Sequence, residues 1–176
     1  MRFGSRSTPW IVLAGLAVLV VSARSALFRY ATGPAAVIGE TAVITEVNSG
    51  VAFTARVDTG AATSSIHVEP DDVVIVDPAP KPVDNVTKPV RLRLDNGSGE
   101  KAWVETRIED YVEVRSANGS EHRYQVSLPL QCGDVRKVAT VNLKDRSDMT
   151  FRLLLGRDFL RDDFVVDVAR QGTQAL

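Results

Sequence analysis

The stretch from Val57 to His67 reads "VDTGAATSSIH" and follows the strand-forming run "AFTAR". An aspartate at the end of a strand, then a hydroxyl residue, then a glycine, is a compact arrangement for presenting a carboxylate. Gly60 has no Cβ, so backbone amides can approach the Asp58 carboxylate closely. Thr59 offers a hydroxyl that can bond across to a symmetric partner loop, and Ala61 and Ala62 are small enough to leave room beside the acid for an incoming chain. The chemistry that suits such a loop is activation of water by two carboxylates sharing one proton, one acting as base and the other polarising a carbonyl. Their titration then belongs to the pair. The chain has one Asp-Thr-Gly, so a dyad needs a two-fold dimer with one Asp58 from each subunit. The plainer reading is an Asx turn in which Asp58 caps its own loop. At average residue usage a chain of this length carries Asp-Ser/Thr-Gly by chance roughly 8% of the time, so context must decide.

The second segment with possible chemistry is "LLLGRDFL", Leu153 to Leu160: a short apolar strand, Gly156, then one or two helical turns opening with Arg157. His67 and His122 are the two histidines. Asp58, His67 and His122 would be the zinc candidates, but their spacings are unrelated and nothing fixes a tetrahedral geometry. No His-Glu-x-x-His and no phosphate-binding Gly-x-x-x-x-Gly-Lys-Ser/Thr occurs, so the reading carries no metal and no cofactor. Ser64 and Ser65 lack the Gly-x-Ser-x-Gly elbow of a serine nucleophile. Trp103 and Tyr124 fit either a peptide groove or ordinary half-buried strand positions. "KDRSDM", Lys144 to Met149, is a charged loop to which the sequence gives no role.

The elements that would position these residues are strands. "TAVITEV" and "VAFTARV" flank Asn48-Ser49-Gly50, a hairpin signal. "VRLRL" turns at "DNGSGE" into "KAWVETRI", and "YVEVRS" turns at "ANGSE" into "HRYQVSL"; Asn-Gly at both tips suits tight hairpins. "VRKVATVNL", "FRLLL" and "FVVDV" complete the set. Residues 70–89 hold five of the eight prolines and read as an irregular excursion with one short strand near Val73–Val76. No long amphipathic helix is evident.

The 176 residues suit one domain, with 44% hydrophobic and 24% charged positions. Residues 1–30 stand apart. Four arginines, no acid and the uncharged run Trp10–Ala23 give them the pattern of a secretory leader or a short membrane anchor. The expected division is therefore 1–30 as leader and 31–176 as the folded domain, working in the periplasm, exported or held at the inner membrane. Without the leader the chain carries 17 basic residues against 22 acidic ones, which argues against a nucleic-acid partner. Cys132 is the only cysteine, so no internal disulfide and no cysteine-based zinc cluster can form.

"RVDTGA" and "LLLGRDFL", with the strand rhythm between them, resemble the retropepsin-like aspartic proteases. "VDTGAATSSIH", "KDRSDMTFRLLLGRDFL" and "FVVDV" are similar to one bacterial branch, labelled putative ATP-dependent zinc proteases and associated with glutamate-ligase-like proteins. The resemblance spans about Val37 to Arg170. It implies an all-β, retropepsin-like closed barrel with one short helix near the C-terminus. It further implies a homodimeric aspartic endopeptidase acting on a polypeptide. In that picture Asp58 is the catalytic acid/base, Thr59 and Gly60 brace it, and Ala61 lines the cleft. Gly156 permits a close backbone passage and Arg157 supports the loop by pairing with an acid. A flap over the substrate falls at Val112–Gln125, with Asn118 and Gly119 at its tip; Asn96–Gly99 is the fallback. The rival expectation is a non-catalytic periplasmic peptide-binding or assembly module on the same fold, and a zinc-dependent hydrolase is a weaker third.

Overall fold

The structure is a computed structural model that describes residues 35–116, 119–170 and 172. The expected leader, residues 1–30, and the expected flap-tip residue Asn118 lie outside the described residues. Among the described residues, no helix is long and apolar enough to cross a membrane.

The described residues form eleven strands and one short α-helix, in order: β1 (Ala36–Ile38), β2 (Thr41–Glu46), β3 (Ala52–Val57), β4 (Ser64–His67), β5 (Val73–Ile75), β6 (Pro89–Asp95), β7 (Lys101–Ser116), β8 (Gly119–Cys132), β9 (Val135–Lys144), β10 (Leu153–Leu155), α1 (Arg157–Leu160) and β11 (Phe164–Val166). The large sheet runs β2-β3-β10-β4-β9-β8-β7-β6-β5, and β2 also pairs with β8 through Thr45–Gln131 and Glu46–Leu130. That extra pairing closes β2, β3, β10, β4, β9 and β8 into a ring, so the expected all-β barrel is present, with β7, β6 and β5 extending from it. Closure removes the sheet edges that the ring strands would otherwise expose.

The alternation that marks β2 and β3 as strands also sorts their faces. Ala42, Ile44, Phe53 and Ala55 point inward, while Val43, Thr54 and Arg56 point out. The interior is filled by Ile38, Ile66, Leu128, Leu130, Val141, Leu153, Leu155 and Phe159, all essentially inaccessible. Cys132 belongs to this core, and burial pushes its thiol pKa up to about 11. Two short 3-10 turns, Pro70–Asp72 and Pro82–Asn85, break the proline-rich excursion. Tyr124 secures it: its hydroxyl donates to the Pro82 carbonyl and accepts from Asn85 Nδ2. Tyr124 is therefore a strand anchor, not a groove residue. "KAWVETRI" and "YVEVRS" form one strand, β7, whose register shifts between Ile108 and Asp110.

Two features set up the functional site. First, β10 lies between β3 and β4, parallel to the one and antiparallel to the other. The chain from β3 to β4 must therefore loop over the end of β10, and that loop contains Asp58. Second, β1 and β11 form a separate parallel pair. Val57 N–H donates to the Glu40 carbonyl at 2.9 Å, which ties the β1–β2 junction to the strand end carrying Asp58.

Candidate active site

Asp58 begins where β3 ends. Its N–H donates to the Leu155 carbonyl at 2.9 Å, one step beyond the parallel β3–β10 ladder. Its Oδ1 accepts from the amides of Gly60 at 3.0 Å and Ala61 at 3.1 Å. Two donors on one oxygen fix the direction of the carboxylate and leave Oδ2 for other partners. A Cβ on Gly60 would stand 3.2 Å from Oδ1, so a side chain there would push on the acid itself. Thr59 and Gly60 are exposed at the tip, with Ala61 partly exposed.

The loop is braced from the other end of the sequence. The carbonyls of Ala61 and Ala62 accept from the first amides of α1, those of Arg157 and Asp158. Arg157 Nη1 donates to the carbonyls of Thr59 at 3.0 Å and Gly60 at 2.8 Å. The sequence pointed to an acid as the partner of Arg157; among the described residues it grasps backbone carbonyls of the loop instead. Asp158 holds Ser64 twice: Oδ2 accepts from its N–H at 2.9 Å and Oδ1 from its hydroxyl at 2.7 Å. Ser64 Oγ in turn accepts from Gly156 N–H at 3.0 Å. Gly156 passes so near Thr63 that an added Cβ would meet the Thr63 carbonyl carbon at 2.6 Å. The backbone there is extended, so close approach and not an unusual φ demands glycine.

A second brace runs across the sheet. Asn142 Nδ2 donates to Thr63 Oγ1 and to the Ser64 carbonyl, and Gln125 Nε2 donates to Asn142 Oδ1. This links the base of the β7–β8 hairpin to the Asp58 loop. Beyond Ile108 and Gln125 that hairpin leaves the ladders of β6 and β9 and continues as a two-stranded arm. Glu121 on the arm pairs with Lys144 at the end of β9 and with Arg123. The arm includes Gly119 and coincides with the expected flap segment.

The other end of β4 is also polar and buried. His67 is inaccessible; its Nδ1 accepts from Arg146 N–H at 2.9 Å, and its Nε2 lies 3.2 Å from Arg152 Nη1. Burial first, and the Arg152 charge second, lower its pKa and favour the neutral ring. Asp58, His67 and His122 do not form a metal-ligand group; His122 instead stacks on Tyr111 out on the arm. The one trio of suitable spacing among the described residues is His67, Glu69 and Asp95, within 4.8 Å of one another. Two cations already compensate it, Arg152 beside His67 and Lys101 at 2.8 Å from Asp95. Burial works to raise the Asp95 pKa, but bonds from Lys101 and Gly97 outweigh it and hold the carboxyl below its ordinary range.

The sequence reading took Ser64 as a strand residue supporting the loop but missed Asn142 and Asp158 as parts of the site. Asp158 was visible only as the letter after Gly-Arg, and its partner lies 94 residues away. The run "SSIH" was the available signal: a strand with three polar residues must find partners for all of them when buried.

The closed ring, the β10 insertion and the single Asp-Thr-Gly loop define a retropepsin-like fold. The chain superimposes on a Legionella pneumophila protein of unknown function with a TM-score of 0.65 and 24% identity, covering 79% of this chain and 98% of that one. Residues 37–175 match the family described as RimB-like, retropepsin-like aspartic endopeptidase RimB. The chain belongs to that family. It is also similar to proteins named probable alpha-L-glutamate ligase: 31% identical over 117 residues in Shewanella pealeana and 30% over 129 residues in Desulfotalea psychrophila. The matches cover 66% and 68% of this chain but 24% and 25% of those proteins, so the chain spans about a quarter of the length of the curated relatives it matches.

Proposed function

We propose that the chain is an aspartic endopeptidase working as a homodimer, with Asp58 of each subunit forming the catalytic pair. The observation that carries this reading is the Asp58 carboxylate itself: Oδ1 is fixed by two backbone amides, in an exposed loop braced by α1 and β9. Two such loops meeting at a two-fold axis bring their Oδ2 atoms together to share one proton. The ionised carboxylate takes a proton from water as the water attacks the scissile carbonyl. The protonated one donates to the carbonyl oxygen. The resulting tetrahedral intermediate collapses as the leaving nitrogen is protonated. Val37 and Val165, opposite each other in the β1–β11 pair, and Val168 are exposed apolar residues near the Asp58 end of the barrel and suit a subunit contact. Thr59 then reaches the partner loop, Ala61 lines the cleft, and the arms bearing Asn118 and Gly119 close over the peptide.

The relatives named for glutamate ligation suggest the substrate class, peptides containing α-linked glutamate. The leader pattern in residues 1–30 supports a domain working outside the cytoplasm, in the periplasm. A second reading, a non-catalytic binding module, is favoured by the same relatives. In them the matching segment is a minor part of proteins named for a different reaction.

The test is cleavage of a diverse peptide pool by the native chain and by Asp58→Ala, with folding checked by circular dichroism. Cleavage by the native chain alone supports the endopeptidase. Equal cleavage by both removes Asp58 from the chemistry, and binding without cleavage supports the module.

A further inference from the structure

The charged loop after β9 lays a buried arginine, Arg146, against β4. A row of residues crosses five strands on the outer face of the barrel: Arg56 on β3, Leu154 on β10, Ser65 on β4, Asn142 on β9 and Gln125 on β8. Asp58 lies two residues beyond Arg56, and Arg123 two residues from Gln125 on the same face of the arm. Ser65 and Asn142 are buried although they point away from the core. Part of their cover is the loop from Asp145 to Arg152. His67 fixes where this loop starts by accepting from Arg146 N–H, and the loop returns at Arg152, whose carbonyl accepts from His67 N–H.

Arg146 is the side chain this loop lays over the row. It is 6% exposed, yet its acceptors are neutral oxygens: Ser65 Oγ at 2.9 Å from Nη1 and the Phe151 carbonyl at 2.9 Å from Nε. No carboxylate among the described residues forms an ion pair with it. A buried charge without a counter-charge costs several kcal/mol, and nearby cations add to the cost. Burial first, then the charges of Arg123 and Arg56, pull its pKa below the ordinary arginine value, while Asp58 opposes them. Arg56 likewise has no ion-pair partner among the described residues; of the acids on this side of the arm, Glu121 is taken by Arg123 and Lys144, and Asp110, opposite Gln125, accepts from the Tyr111 amide.

The geometry points to a carboxylate-binding subsite centred on Arg146, flanked by Arg56 and Arg123, that receives an acidic side chain of the peptide lying across Asp58. A guanidinium held rigidly by neutral acceptors is pre-organised for a planar carboxylate. The arriving anion supplies the counter-charge the fold leaves out. This inference rests on the endopeptidase reading for the purpose of the subsite, though not for its existence.

The test measures binding, so that failure of cleavage and failure of the subsite stay separate. In an Asp58→Asn background, which prevents turnover, the full chain is titrated by fluorescence anisotropy with labelled hexa-α-glutamate and hexa-α-glutamine. The subsite predicts glutamate binding at least tenfold tighter than glutamine binding, weakening with added salt. Arg146→Gln loses at least tenfold on the glutamate peptide and nothing on the glutamine peptide, and Arg56→Gln loses a few-fold on the glutamate peptide alone. If Arg146→Gln does not fold, the exposed Arg56→Gln and the Arg56→Gln/Arg123→Gln double variant carry the test. Equal binding of both peptides, or variants that bind glutamate as the parent does, overturns the subsite. Tight, arginine-dependent glutamate binding by a native chain that cuts nothing upholds the subsite and removes the endopeptidase.

Discussion

The two ends of β4 solve the same problem in opposite ways. At the Ser64 end, a serine, a glycine amide and the Asp158 carboxylate satisfy one another through 2.7–3.0 Å bonds. At the His67 end, Arg152 lies beside the ring and the Asp95 carboxylate, while Arg146 is buried against neutral oxygens with no ion pair of its own among the described residues. The first arrangement holds backbone in place, since the Asp158 carboxylate is met by amide and hydroxyl donors and those donors are spent. The second keeps charge available. The contrast separates residues that shape the Asp58 loop from residues that meet what arrives there.

If that separation is right, the largest effect comes from Gly156→Ala. The new methyl meets Thr63 backbone on three atoms under 3.0 Å, and backbone cannot rotate aside as a side chain can. We expect a loss of about 3 kcal/mol or more, read as a lowered Tm, or outright failure to fold. Asp158→Asn comes next. One amide oxygen cannot replace two carboxylate oxygens, and the amide NH2 would face a donor from Ser64. The expected cost is about 2 kcal/mol in denaturant unfolding, together with loss of any Asp58-dependent activity.

The His67 end predicts a pH effect instead. The folded-state pKa of His67 lies below its ordinary 6.5, so below that pH the unfolded chain binds more protons than the folded one. Stability from this site is full above about pH 6.5 and falls as the pH drops from there toward the folded value. Burial and Arg152 drive the shift, opposed by Asp145, Asp95 and Glu69. His67→Gln should flatten the Tm profile between about pH 6.5 and 5, where ordinary carboxylates remain ionised. An unchanged profile would remove His67 as the cause.

Arg157→Ala loses two bonds to exposed carbonyls that water can replace. It should cost about 1 kcal/mol in stability but loosen the loop tip, lowering cleavage more than Tm. The smallest effect on stability belongs to Arg146→Met. Replacing an unpaired buried cation by an apolar chain of similar length removes its desolvation cost and sets that gain against two lost hydrogen bonds, so a net change under about 1 kcal/mol is expected. A large loss there would place Arg146 among the braces and erase the distinction between the two ends.

Much of this was legible in the sequence because it is local. The strands, the Asn48-Gly50 hairpin, the Asp58 turn and the short helix after Gly156 all follow from residues adjacent in the chain. The resemblance of the two end motifs then supplied the closed barrel. The braces were not legible, because Ser64–Asp158 and Asn142–Thr63 join residues 94 and 79 positions apart. Nothing in "GRDFL" announces that its aspartate grips a serine while its arginine takes carbonyls. Nor could the "KDRSDM" loop be read, since its meaning depends on Ser65 lying beneath it and on Arg146 having no ion pair among the described residues.

The central claim is that two Asp58 residues act together. It is tested most directly by mixing native chain with increasing proportions of Asp58→Asn chain, allowing subunits to exchange, and following cleavage of a glutamate-containing peptide. If both aspartates of a dimer are needed, activity falls as the square of the native fraction. A fall in simple proportion to that fraction would show that each chain works alone and would contradict the shared dyad.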